Sequence, residues 1–226
     1  MRLAMDTSTD WPSIALFKDG DIVAELTWSS ERNHSMELLP QVDHLLGQAG
    51  VGMAGIDAVV VARGPGSFNG LRVGLSAAKG LAMSLGARLI GIGTLEVVAY
   101  PYRDLGLPVF AIHPAGRREV AAARFGMSRG RWAKVREEHI TTIEELCLGV
   151  KVKSLFCGQV SSAIVKEVME RLGRKAVVVE AGGALRRAGY LAQLGEERFR
   201  RGDFDDPATI QPLYLRQPPI TIRKVK

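Results

Sequence analysis

The order of regular segments constrains this chain more than any single residue does. Residues 2–6 form a short apolar run that ends in a Thr/Ser cluster. The β-rich runs 13–17 and 21–28 flank Lys18-Asp19-Gly20-Asp21, a hairpin signal in which Gly20 supplies the positive φ of the turn. A helix is predicted over 35–48, where Leu38, Leu39, Val42, Leu45, Leu46 and Ala49 recur on an i, i+3, i+4 stripe. Pro40 either starts that helix or kinks it. An apolar strand at 56–62, a glycine-rich turn, a helix over 71–85 and a strand at 88–92 complete a β-β-β-α-β-α-β unit.

Residues 108–194 repeat that order. Strands are expected at 108–113, 119–125 and 130–140, then a short helix at 142–149 capped by Thr141 or Thr142. A strand at 154–158, an amphipathic helix at 161–173, a strand at 176–180 and a last helix at 183–195 follow. Two copies joined by a loop at 100–108 predict an α/β chain with the duplicated ribonuclease H-like topology of the actin, Hsp70 and sugar-kinase group. The two lobes are expected at 1–104 and 105–226. From Pro207 on, four prolines and little periodicity predict a tail that packs back across both lobes instead of forming a third.

Composition closes off other classes. A chain of 226 residues, 46% apolar and 24% charged, buries a sizeable core and is neither disordered, collagenous nor a coiled coil. No stretch reaches the ~18 consecutive apolar residues of a membrane span, and Asp6 argues against a signal peptide, so a cytoplasmic protein is expected. Cys147 and Cys157 fit neither a redox pair nor a zinc knuckle and read as small buried hydrophobes. The net charge of +6 is uneven. Residues 1–115 carry 8 basic and 11 acidic side chains, and residues 116–226 carry 22 and 13. The basic half suggests a nucleic-acid partner; solvated arginines on helices are the plainer alternative.

Three segments can carry chemistry. Gly64, Gly66 and Gly70 lie between a buried strand and a helix, where backbone amides can cradle a phosphate. The spacing matches neither a dinucleotide fingerprint nor a P-loop, and a close-packed turn accounts for the glycines equally well. The helix over 71–85 has only Arg72, Ser76, Lys79 and Ser84 as polar residues, so it must be covered on both sides. Gly74, Ala78 and Ala82 line one edge at helical spacing and would let another helix approach closely. Either the 35–48 helix or a second protein chain covers the face turned away from the sheet. Asp6, Thr7, Ser8 and Thr9 occupy the position where actin-like ATPases meet metal and phosphate; a polar turn is the alternative. The second lobe has no matching acid-and-glycine loop and carries His113-Pro114-Ala115-Gly116 instead. His34, His44, His113 and His139 form no H-x-x-x-H pair, and Ser67 sits in no G-x-S-x-G elbow, so neither metal nor nucleophile chemistry is expected.

Met5-Asp6-Thr7-Ser8-Thr9, His34-Ser35 followed by Leu38-Leu39-Pro40, the run at 62–73 and Pro212-Leu213-Tyr214-Leu215-Arg216 together resemble the TsaB (YeaZ) family. The glycine run carries most weight, through its continuation Ser67, Phe68, Gly70 and Arg72. The second lobe departs from the family pattern I-D-A-R-R-G-E-V-Y, with His113 at the acid and Ala121 at the tyrosine. The resemblance implies an actin-like fold with no catalytic residues of its own. It implies a partner of the TsaD-like transferase that places threonylcarbamoyl on tRNA adenosine, joined by a TsaE-like ATPase. ATP and metal are then expected on those partners, homodimers in their absence, and tRNA contact only within the complex. The partner surface implied is built on the helices at 35–48 and 71–85, with Met36, Leu39, Leu46, Leu71, Gly74, Leu75, Ala78 and Ala82 as its residues. Two other functions stay open: an actin-like phosphotransferase using Asp6, and a homodimeric scaffold.

Overall fold

The computed structural model describes residues 1–31, 33–179 and 185–216. The first sheet contains β1 (Arg2–Asp6), β2 (Ser13–Lys18), β3 (Asp21–Thr27), β4 (Ala58–Ala62) and β5 (Arg88–Ile92) in the order β3-β2-β1-β4-β5. β1–β2–β3 is an antiparallel meander, whereas β4 and β5 run parallel to β1. The second sheet repeats this with β6 (Val109–Gly116), β7 (Glu119–Ser128), β8 (Arg131–Thr142), β9 (Ser154–Gly158) and β10 (Ala176–Val178), ordered β8-β7-β6-β9-β10. The duplicated two-lobed α/β fold is as the element order predicts.

Alternation along the strands sorts side chains onto two faces. Leu3, Met5, Ile14, Leu16, Val59 and Val61 turn toward α1 (His34–Gln48) and α2 (Phe68–Leu85). Ala4, Ala15, Phe17, Val60 and Ile90 turn the other way, onto α6 (Ala188–Arg200). In the second sheet Phe110, Ile112, Val120 and Phe156 face α4 (Ile143–Leu148) and α5 (Ser162–Leu172). Val109, Ala111, Ala123 and Phe125 face α3 (Thr94–Ala99). Burial of both faces explains why β4 reads as an unbroken apolar run.

The covering helices are exchanged. α3 leaves the first sheet yet packs on β6, β7 and β9, and α6 leaves the second sheet yet packs on β1, β2, β4 and β5. The sequence reading assigns no helix at 94–99 and expects a loop at 100–108; that segment is α3 followed by a 3-10 turn at Tyr100–Leu105. α6 starts at Ala188, where Ser13 Oγ accepts from Ala188 N at 3.0 Å and Glu25 Oε1 from Gly189 N at 2.9 Å. A carboxylate there favours the positive end of the helix dipole.

Pro40 lies inside α1, and α2 begins at Phe68, three residues before its expected start, with Ser67 Oγ accepting from Gly70 N. Thr142 caps α4. The described part of the tail packs against both lobes. Asp205 pairs with Leu89 in an isolated bridge, Ile210 enters the first core, Leu213 N donates to Arg63 O at 2.7 Å and Arg216 pairs with Glu119 of the second lobe. The predicted strand residue Glu180, the start of the predicted last helix and the end of the tail lie outside the described residues.

Candidate functional site

The glycine-rich turn and the β1–β2 loop form one packed unit. Ser67 N donates to Ser8 O at 2.8 Å, and Thr7 Oγ1 donates to Gly70 O at 2.7 Å. A Cβ on Gly70 would lie 2.0 Å from Thr7 O, and one on Gly74 2.4 Å from Thr7 Oγ1. These glycines are required because α2 crosses the loop at backbone contact distance. Gly66 abuts Ser8, and Gly64 has φ +109°. Thus Gly64, Gly66 and Gly70 serve packing in this structure. Arg72 is exposed; its Nε donates to Tyr214 Oη at 3.2 Å and its guanidinium lies 4.0 Å from the Phe68 ring centre.

Asp6, Thr7, Ser8 and Thr9 are all buried, and all of their side chains except for Asp6 Oδ2 make hydrogen bonds within the chain. Asp6 Oδ1 accepts from Ser8 N at 2.8 Å and from Ser8 Oγ. Thr9 Oγ1 donates to Trp11 O at 3.0 Å, and His34 Nε2 donates to Thr9 O at 2.7 Å, tying α1 to the loop. Arg186, 4% exposed, donates through Nη1 to Ser8 Oγ and through Nη2 to His113 Nδ1 at 3.2 Å. Burial lowers the Arg186 pKa and the charge of Asp6 opposes that shift. His113 is pushed down to about 3, first by burial and then by the Arg186 charge, so a neutral imidazole accepts this bond. Arg186 Nε and Asp6 Oδ2 are buried without a hydrogen-bond partner. A guanidinium from the chain itself therefore stands between the lobes beside Asp6. Sequence reasoning missed Arg186, because nothing in Leu185-Arg186-Arg187 separates a buried arginine from a solvated one.

The two-helix surface needs a correction. Leu46, Leu71, Gly74, Leu75, Ala78 and Ala82 are buried inside the first lobe, with Ala78 at 0% exposure. The small edge of α2 meets Thr7, the sheet and α1, because small side chains let the helix sit close on the strands. It is not an outward partner face. Val73, Ala77 and Leu81 are half-buried around the same core, so α1 supplies part of the second cover. Outward-facing residues are Met36 at 77%, Leu39 at 50% and Met83 at 72%, with Gly80 opening on empty space. The N-termini of α1 and α2 border a groove of about 680 Å³ lined by Asp10, Ser35, Asn69 and Arg72.

Arg117 and Arg118 are exposed at the β6–β7 turn, whereas Arg124 is half-buried with its guanidinium 5.8 Å from the Phe110 ring centre. Cys147 and Cys157 are free and buried. Among the described residues no three His, Cys, Asp or Glu side chains form a metal-binding group, and no helix is long and apolar enough to cross a membrane.

The family model for TsaD, the tRNA N6-adenosine threonylcarbamoyltransferase, matches residues 21–183. A transferase of that name from Anaeromyxobacter dehalogenans, at 38% identity, aligns over 33% of its own length. The tRNA threonylcarbamoyladenosine biosynthesis protein TsaB of Bacillus subtilis aligns at 30% identity over 95% of this chain and 93% of its own length. The chain belongs to the TsaB family. TsaB of Haemophilus influenzae is 27% identical over 95% of the chain and 92% of its own. The structure of YeaZ from Pseudomonas aeruginosa superposes with a TM-score of 0.81 at 28% identity, covering 95% of this TsaB-family chain and 99% of the other.

Proposed function

We propose that this TsaB-family chain is a non-catalytic subunit in the synthesis of threonylcarbamoyladenosine on tRNA, and that it supports a TsaD-like transferase. One observation carries the reading: full-length correspondence with proteins named for that biosynthesis, against alignment to a third of that transferase. The partner surface is the outward side of α1 and α2, with exposed Met36 and Leu39 near the start of α1 and Met83 near the end of α2, since large exposed apolar side chains mark interaction sites. In the partner's absence the same face forms a homodimer. A TsaE-like ATPase completes the assembly, and ATP and metal reside on these partners in the cytoplasm.

The chain's own Asp6 is engaged by Ser8 and faces the Arg186 charge, which disfavours the phosphotransferase alternative. Arg117 and Arg118 are the exposed arginines of the β6–β7 turn that reach tRNA within the complex.

Co-purification tests this reading. The wild-type chain recovers a TsaD-like protein from its own cells, and Met36→Arg with Met83→Arg abolishes recovery while leaving the melting temperature unchanged. Retained binding by that double variant removes the surface assignment. ATP turnover by the isolated chain that is lost in Asp6→Ala removes the non-catalytic reading.

A further inference from the structure

A groove of about 340 Å³ opens where the glycine-rich turn, the β6–β7 pair and the C-terminal tail meet. It borders the Asp6–Arg186 cluster through His113, whose Nδ1 already accepts from Arg186, and Met36, Leu39 and Met83 are not among its lining residues. Its size is at the lower end for small-molecule sites, enough for one ring system and a short polar group. The walls are flat. Phe68 and Tyr214 line it with ring centres 5.4 Å apart, and the neutral His113 imidazole and Pro114 line the second-lobe side. Ala121 leaves that side open. Such rings favour a planar heteroaromatic body over an aliphatic one, because stacking adds to the apolar area buried.

Cationic charge surrounds the apolar part. Arg216 lines the groove, and Arg72 reaches the Phe68 and Tyr214 rings from outside. Arg117 and Arg118 occupy the turn two residues beyond the lining residue Ala115; among the described residues neither forms a salt bridge. Glu119 pairs with Arg216 and offsets its charge, so the net positive charge of this edge comes from Arg117, Arg118 and Arg72. A flat apolar pocket with a positive edge complements a ring that carries an anionic group.

We propose that this groove binds a nucleoside monophosphate, with the base among Phe68, Tyr214 and His113 and the phosphate toward Arg216 and the Arg117-Arg118 turn. This goes beyond the partner-docking role and does not depend on it.

Calorimetric titration of the full chain with AMP, adenosine and inorganic phosphate tests the proposal. AMP binds saturably, adenosine binds more weakly and phosphate alone does not compete. Arg216→Ala and the pair Arg117→Ala/Arg118→Ala each weaken AMP by about ten- to a hundredfold, the scale of a lost charge-assisted hydrogen bond, and leave adenosine unchanged. Tyr214→Ala weakens both ligands. These side chains are at or near the surface, and an unchanged melting temperature verifies that each variant is folded. The proposal is overturned if AMP shows no binding at millimolar concentration, or if the groove variants leave AMP affinity unchanged. Loss of binding in Ser8→Ala alone places the ligand in the Asp6 cluster and also overturns it. So does binding of a short single-stranded RNA without binding of AMP.

Discussion

Arg186 donates a hydrogen bond to Nδ1 of His113 across 3.2 Å, which fixes that ring as neutral and joins the segment before α6 to β6. The same guanidinium reaches Ser8 at the end of β1, so one side chain connects three parts of the chain. Its charge is offset by Asp6. Removing it leaves an acid and a hydroxyl in a buried site without their cation. Leaving buried acceptors without their charged hydrogen-bond donor costs roughly 1–3 kcal/mol. Arg186→Leu is expected to lower the melting temperature strongly, and Arg186→Lys to restore little, because an ammonium lacks the planar fork that spans Ser8 and His113. An unchanged melting curve for Arg186→Leu would show that the cluster contributes nothing.

The pH dependence follows from His113. Its pKa falls from the ordinary 6.5 to about 3 on folding, so between those values the unfolded chain binds more protons than the folded one. Stability from this group is complete above pH 6.5 and is lost as pH falls toward 3, by at most about 1.4 kcal/mol per unit. Asn at position 113 can still accept from Arg186 but does not titrate. His113→Asn should therefore flatten the denaturation free energy between pH 6.5 and 4; a slope identical to wild type removes His113 as its source.

Two positions on α2 separate burial from interface. Ala78 is fully buried, so Ala78→Arg should unfold the chain, through overpacking and an unpaired charge worth several kcal/mol. Gly80 has nothing within 4 Å of an added Cβ. Gly80→Ala should stabilise the isolated chain by ~0.5–1 kcal/mol, as alanine restricts the unfolded state and favours helix. Denaturant titration of both variants checks the assignment; a folded, soluble Ala78→Arg protein contradicts it.

The helix exchange predicts that the lobes do not fold separately. Removal of residues 185–226 strips α6 from Ala4, Ala15, Phe17, Val60 and Ile90 and exposes an apolar sheet face. Such a fragment is expected to aggregate or remain expanded, measured by gel filtration and near-ultraviolet circular dichroism. A monomeric, cooperatively melting fragment would count against the exchange as a stability requirement.

Gly70 gives the sharpest local test. An added Cβ would sit 2.0 Å from the Thr7 carbonyl, a backbone atom that cannot swing aside. Gly70→Ala should cost at least ~1–3 kcal/mol despite alanine's better helix propensity. Equal or greater stability than wild type would mean that the β1–β2 loop moves freely away from α2.

Local sequence encodes the element types other than α3, their duplicated order and hence the two-sheet topology. Those depend on local pattern: the β-rich run of β2, the i, i+3, i+4 stripe of α1, the unbroken apolar run of β4. The glycine-rich turn was also legible as a place of close approach, though not that Thr7 is what approaches it. Tertiary structure alone decided which way α2 faces. Gly74, Ala78 and Ala82 have the same helical spacing whether the neighbour is a second protein or the chain's own strands, and only their contact with Thr7 and the core resolves it. It also decided that α3 and α6 change lobes, because a local segment encodes which residues are apolar but not which sheet will cover them. Arg186 was invisible for a related reason: burial is a property of everything that surrounds a side chain, and its companions Ser8 and His113 lie 178 and 73 residues away along the chain.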